Sequence, residues 1–176
     1  MLGLLHSEDI KNIFASDANE KILKFAEKNL SLLNVDGLSR RISELENFII
    51  DYDKDSHRDA LRSAKNIEQI VKGLKIETKI FELNVLENIQ LNDFVKNIDI
   101  VITDIPYGNL VKWYGLNEGI NPVQIMLDKI KKRLNPISIV AVVSDKKQEI
   151  KHEGFEQVKK FKVGKRKVFL LSPITT

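Results

Sequence analysis

DIVITDIPYG, residues 99–108, is an apolar run that ends on an acid, a proline, an aromatic ring and a glycine in close order. The stretch Asp99 to Thr103, flanked by polar residues, predicts a buried strand. A carboxylate at the end of such a strand, Asp104, is partly desolvated and needs a partner in the working state. Pro106 fixes the backbone and disfavours a helical Ile105, which aims a main-chain carbonyl outward as an acceptor. Tyr107 supplies a flat face, and Gly108 lets the chain leave without crowding the ring. Two acceptors beside an aromatic platform suit a planar group with an exocyclic amine, namely a nucleobase. The same residues also suit a β-turn in which the Tyr packs on the sheet and the Asp caps the turn, and residue types alone leave both open.

Outward from this stretch, strands and helices alternate. Lys11 to Ser16 reads as a strand, and Ile22, Phe25, Ala26, Leu30 and Leu33 follow at helical spacing, with Asn19 or Asp17 as the cap and Asp36-Gly37 as the close. A helical pair is expected next, an insertion at about residues 37–75. Its stripes are Leu38, Ile42, Leu45 and Ile49, then Ala60, Ala64, Ile67, Val71 and Leu74, joined by the charged turn Asp51 to Asp59 and ending at Gly73. Thr78 to Val85 is β-rich. Asn121-Pro122 starts a helix that Asn135-Pro136 stops, and Ile137 to Val143 is so nearly continuously apolar that it suits a parallel strand covered on both faces. Gln157 to Val163 and Arg166 to Leu171 read as a hairpin turning at Gly164-Lys165. This order predicts one α/β domain over residues 1–176, a doubly wound, mostly parallel sheet with a C-terminal antiparallel hairpin.

Composition narrows the chemistry. With no cysteine there is no disulfide framework, thiolate metal site or cysteine nucleophile, and His6, His57 and His152 show no ligand spacing, so no metal is expected. No apolar run has spanning length and the opening residues are too short for a signal peptide, so a soluble cytoplasmic protein without a membrane partner is expected. Charge is uneven: residues 1–110 carry 14 basic and 19 acidic side chains, and residues 111–176 carry 14 and 6. The C-terminal part is therefore the one suited to phosphate. Lys129, Lys131, Lys132 and Arg133 form one cluster, and Lys159, Lys160, Lys162, Lys165, Arg166 and Lys167 another. Solvated faces and edge-strand lysines that block aggregation explain them equally well.

Ligands of doubly wound sheets lie beyond the carboxyl ends of the strands, which singles out Asp17, Asn84 and Asp104. Asp17 suits the hydroxyls of an adenosine ribose, or a helix cap. Asn84 suits an adenine edge, or the start of a turn.

An acid after one strand (Asp17), a polar residue after the next (Asn84), Asp-Ile-Pro-Tyr after a third and a C-terminal hairpin together resemble the class I S-adenosylmethionine-dependent methyltransferases. Within these Rossmann-like enzymes the pattern is similar to the branch that methylates amino groups with an (Asp/Asn)-Pro-Pro-(Tyr/Phe) motif, with Ile105 in place of the first proline. LGLLH (2–6), FASDAN (14–19), AEKNLSLL (26–33), the helical pair and TDIPYG (103–108) more narrowly resemble the avilamycin-resistance (AviRa-type) large-subunit rRNA guanine-N2 methyltransferases.

The resemblance implies S-adenosyl-L-methionine as cofactor, with Asp17 and Ala18 at its ribose and Asn84 and Val85 near its adenine. It implies that Asp104 and the Ile105 carbonyl grip the target amine, with Pro106 shaping the turn and Tyr107 stacking on the base. It further implies rRNA as the partner, with the helical pair, Trp113 and Tyr114 bordering its entrance and Lys162, Lys165, Arg166 and Lys167 on its phosphates. The family pattern also opens with a central strand and a G-x-G loop. No such loop stands in this sequence, and Leu2 to His6 matches the end of the helix that would follow it. The reading therefore expects a strand and glycine loop before Met1, and a monomer once they are present; otherwise the sheet carries a gap beside the Asp99 to Thr103 strand. A non-catalytic RNA-binding or assembly module, or transfer to adenine N6 or a protein amide, are the alternatives.

Overall fold

The computed structural model describes residues 10–87, 95–106, 113–115 and 121–175. The LGLLH stretch, Tyr107 and Gly108 lie outside the described residues. The chain divides into two compact units, Met1–Leu83 and Asn84–Thr176.

The first unit begins with β1 (Asn12–Asp17), α1 (Glu20–Ser31), α2 (Val35–Tyr52), α3 (Asp55–Val71) and β2 (Glu77–Glu82). β1 and β2 pair in parallel, Asp17 opposite Glu82, which requires the crossover that the three helices provide. Asn19 caps α1, its side chain accepting the Lys21 amide at 3.0 Å. α1 buries none of its residues fully, and Phe25 of the expected stripe is 67% exposed. α2 starts earlier than the sequence suggested, because Asn34 caps it by accepting the Gly37 amide at 2.8 Å. Gly37 thus opens a helix and does not close one. A Cβ there would lie 2.2 Å from the Ser31 carbonyl oxygen, so the close approach of backbone requires glycine. The turn between α2 and α3 is only Asp53-Lys54, with Asp53 in the left-handed region (φ 47°) where Asp is tolerated. Leu33, Leu38, Leu45, Ala64 and Val71 form this unit's core, with Ile13 of β1 packed against it.

The second unit contains β3 (Ile98–Asp104), α4 (Pro122–Lys131), β4 (Leu134–Asp145), β5 (Phe155–Val163) and β6 (Arg166–Pro173). The sheet order is β3-β4-β6-β5, with β3 and β4 parallel and β6 antiparallel to both β4 and β5. The parallel pair and the terminal hairpin agree with the α/β reading. Asn121 caps α4 with its side chain on the Val123 amide at 3.0 Å, and Pro122 occupies the first turn, where it removes no helical hydrogen bond. Asn135 and Pro136 fall inside β4, where the sequence placed a stop ahead of the strand. Asn135 Nδ2 donates to the Asn97 carbonyl at 3.1 Å and to Asp99 Oδ1 at 2.7 Å, so the segment is extended and fastened to the start of β3.

β4 is covered less evenly than its apolar run suggested. Ser138, Val140, Val142 and Ser144 are buried, while Ile137 is exposed, as expected when alternate residues meet one packed face. Val140 and Val142 join Val123, Met126 and Leu127 of α4, Phe169 and Leu171 of β6, and Ile105 in one core. On β3, Ile100 and Ile102 are 65% and 75% exposed, and among the described strands β3 pairs only with β4. Gly164 turns the hairpin at φ 57°, where a side chain would be strained. Among the described residues no helix is long and apolar enough to cross a membrane.

Candidate functional site

Asp17 ends β1. Its Oδ1 accepts the Asn19 amide at 2.8 Å and its carbonyl accepts the Leu83 amide at 3.0 Å. The acid is thus oriented by its own turn, with Ala18 between β1 and the cap of α1. Oδ2 has no hydrogen bond among the described residues, which fits an acceptor for the vicinal hydroxyls of a ribose.

Asn84 belongs to the second unit, and its side chain is fully engaged there. Nδ2 donates to Glu87 Oε1 at 2.8 Å and to the Tyr114 carbonyl at 3.3 Å, while Oδ1 accepts the Leu86 amide at 3.1 Å. The residue therefore ties segment 84–87 to segment 113–115. Gly115 sits beside it at φ 68°, and Lys129 adds a bond from its ammonium to the Glu87 carbonyl. Val85 and Trp113 pack on the core of this unit, and Tyr114 stays exposed.

Asp104 closes β3. Ile105 behind it is 1% exposed, and its amide continues the sheet by donating to the Val143 carbonyl at 3.0 Å. No described residue donates to the Ile105 carbonyl, which leaves an acceptor beside the acid. A buried Ile anchors the turn from below, so the carboxylate stays at the surface while its backbone is fixed. Pro106 follows; Tyr107, the expected platform, falls outside the described residues. Asp104 Oδ2 accepts from Arg166 Nη1 at 2.8 Å, and the two side chains are 46% and 53% exposed. This pair joins β3 to β6 across β4. Sequence reading named both residues without bringing them together, because strand order puts them near each other and chain order does not.

The hairpin cations divide. Lys162 and Lys165 are exposed at its turn. Lys167 is 7% exposed and directed elsewhere, donating to the Gln148 carbonyl at 2.9 Å and to Glu149 Oε1 at 2.6 Å, with its ammonium 5.6 Å from the Phe169 ring centroid. The Lys167 hydrogen bond, then that of Lys160, holds the Glu149 carboxyl below the usual carboxylate range. Lys167 is thus a structural cation in place of the expected phosphate contact. His152 is structural as well: Nδ1 accepts the Gly154 amide at 2.9 Å, which leaves Nε2 to donate to Asp128 Oδ1 at 3.1 Å. An open groove of about 290 Å³ is lined by Asn121, Val123, Gln124 and residues 148–151, none of them expected site residues. Among the described residues no group of His, Asp and Glu is arranged to hold a metal.

What the second unit offers chemically is a surface carboxylate and a carbonyl side by side at a strand end, with a guanidinium on the carboxylate. The first offers a single oriented carboxylate suited to a diol. A family model described as rRNA methyltransferase AviRa matches residues 1–166. The 23S rRNA (guanine(2535)-N(1))-methyltransferase of Streptomyces viridochromogenes is 28% identical over 175 residues, which is 97% of this chain and 69% of that protein. Two solved structures of rRNA methyltransferase aviRa from the same organism match with TM-scores of 0.80 and 0.76, each at 27% identity. They cover 97% and 96% of this chain and 70% and 69% of their own.

Proposed function

Because the chain belongs to the AviRa family of rRNA methyltransferases, we propose that it transfers a methyl group from S-adenosylmethionine to the Watson–Crick edge of a guanine in large-subunit rRNA. The observation that carries the reading is the pair of acceptors at the end of β3, the Asp104 carboxylate and the Ile105 carbonyl, on a backbone anchored by the buried Ile105 side chain. Asp17, with Ala18, is the residue suited to the cofactor's ribose. When bound, the cofactor supplies an electrophilic methyl on a sulfonium.

The exocyclic amine N2 is the first target. Its lone pair is delocalised into the ring, so the nitrogen is a weak nucleophile. Asp104 and the Ile105 carbonyl each accept a hydrogen bond from one of its N–H groups, which pyramidalises the nitrogen and aims the lone pair outward. Once methylated, the cationic nitrogen gives up one proton, to the Asp104 carboxylate. Positioning and electrostatics carry the rate, and no base is needed before transfer. The name of the Streptomyces relative favours a second reading, guanine N1. There Asp104 accepts the N1 proton as the methyl bonds to that nitrogen.

Labelled S-adenosylmethionine, large-subunit rRNA and this chain, followed by digestion to nucleosides, test the reading. Label in N2-methylguanosine is expected, and label in N1-methylguanosine selects the second target. Label in N6-methyladenosine would replace guanine by adenine as the target, and RNA binding without label would make the chain a non-catalytic RNA-binding module.

A further inference from the structure

We propose that Arg166 is a positioning residue for methyl transfer, fixing the rotation of the Asp104 carboxylate so that Oδ1 is the oxygen presented to the base. The inference rests on the methyltransferase reading above and assigns Arg166 a task other than holding phosphate.

Register is the first ground. On β4, Asp145 stands opposite Arg166 and Val143 opposite Val168, while Asp104 of β3 stands opposite Val143. Asp104, Val143, Asp145, Val168 and Arg166 therefore share one face of the sheet. The carboxylate nearest to Arg166 by register is Asp145, whose Oδ1 accepts the Lys147 amide at 2.9 Å in the turn after β4. The guanidinium reaches past β4 and donates to Asp104 Oδ2 at 2.8 Å. It crosses two strand spacings, roughly 10 Å, to the acid that ends β3.

Energetics are the second ground. Both side chains are about half exposed, and an exposed pair contributes little to folding. Its geometric effect is larger. A planar guanidinium donates along fixed directions, so a carboxylate bound through one oxygen keeps the other in a defined place. An acceptor for a base N–H must be held within a fraction of an ångström, and a misplacement of about 1 Å costs roughly 100-fold in rate. The third ground is the division of labour in the hairpin: Lys162 and Lys165 are exposed, while the Arg166 head lies on the site's acid.

Steady-state transfer from labelled S-adenosylmethionine to deproteinised large-subunit rRNA tests this with the full chain, Arg166→Ala, Arg166→Lys, Asp104→Ala and the double variant, each checked by thermal melting. Arg166→Ala is expected to lower kcat roughly 10- to 100-fold while KM for RNA stays within about twofold. Arg166→Lys, a cation without the planar fork, recovers part of the loss. The double variant is no slower than Asp104→Ala alone, because the Arg acts only through the acid. Unchanged kcat with a raised KM and a shallower salt dependence makes Arg166 a phosphate contact and overturns the proposal, as does a loss that multiplies that of Asp104→Ala. If the unmodified chain fails to methylate RNA, or Asp104→Ala turns over like it, the methyltransferase reading falls and this inference with it. Loss at Asp104 with full activity at Arg166 overturns the inference alone.

Discussion

Asp17 closes β1 and Asp104 closes β3, and in sequence the two positions look alike: an acid at the end of an apolar strand, just before a turn. Their surroundings differ. Asp17 is held by an amide two residues away, while Asp104 is held by a side chain 62 residues away, on β6. A locally held acid keeps its orientation whenever its own turn is formed. A distantly held acid depends on the sheet being assembled and on the hairpin keeping its register. The first arrangement suits a ligand group of fixed shape such as a ribose, and the second ties the end of β3 to the basic hairpin.

The contrast breaks most visibly at Ile105. Its side chain is buried in the core under β3, so Ile105→Ala should cost about 2–5 kcal/mol through lost burial and a residual cavity. Urea unfolding measures this, and a change below about 1 kcal/mol would show that the end of β3 is not anchored by that side chain. At the other acid the anchor is a cap. Asn19→Ala removes the side chain that accepts the Lys21 amide and should cost about 0.5–2 kcal/mol. An unaltered urea midpoint would mean that the turn after β1 holds Asp17 without it.

The smallest effect concerns the hairpin. The hydrogen bonds of Lys167 and Lys160 lower the folded-state pKa of Glu149. Its contribution is therefore fully present above the ordinary glutamate range and is lost as pH falls through the depressed folded value. Glu149→Gln should flatten the acid side of the stability profile, read as the urea midpoint from about pH 7 down to about pH 3, and leave the neutral side nearly parallel. An unchanged acid limb would remove the Lys167–Glu149 pair from the hairpin's account.

These differences also mark what was legible in the sequence. The caps at Asn19 and Asn121 and the hairpin turn at Gly164 are local features, written in residue types within a few positions of one another. Gly37 misled because glycine closes helices and also permits close backbone contact; the Ser31 carbonyl decides between these uses, and sequence does not show that it is near. Pro136 misled because proline stops helices and also tolerates the start of a strand, where Asn135 bonds to Asn97 and Asp99. At the end of β3 the acid was legible and its partner was not. Lys167 and Arg166 read as equivalent cations along one strand, yet alternation sends them to opposite faces, one to Glu149 and the other to Asp104.

The central claim is that the two acids do separate jobs, Asp17 toward the cofactor and Asp104 toward the base. A side-by-side measurement on Asp17→Ala and Asp104→Ala tests it most directly, with S-adenosylmethionine affinity read by calorimetry and methyl transfer to rRNA read in a single turnover at saturating cofactor. Asp17→Ala is predicted to weaken cofactor binding roughly tenfold or more. Asp104→Ala is predicted to bind the cofactor within about twofold of the unmodified chain while transfer slows roughly 100- to 1,000-fold. Transfer by Asp104→Ala at the unmodified rate would contradict the account.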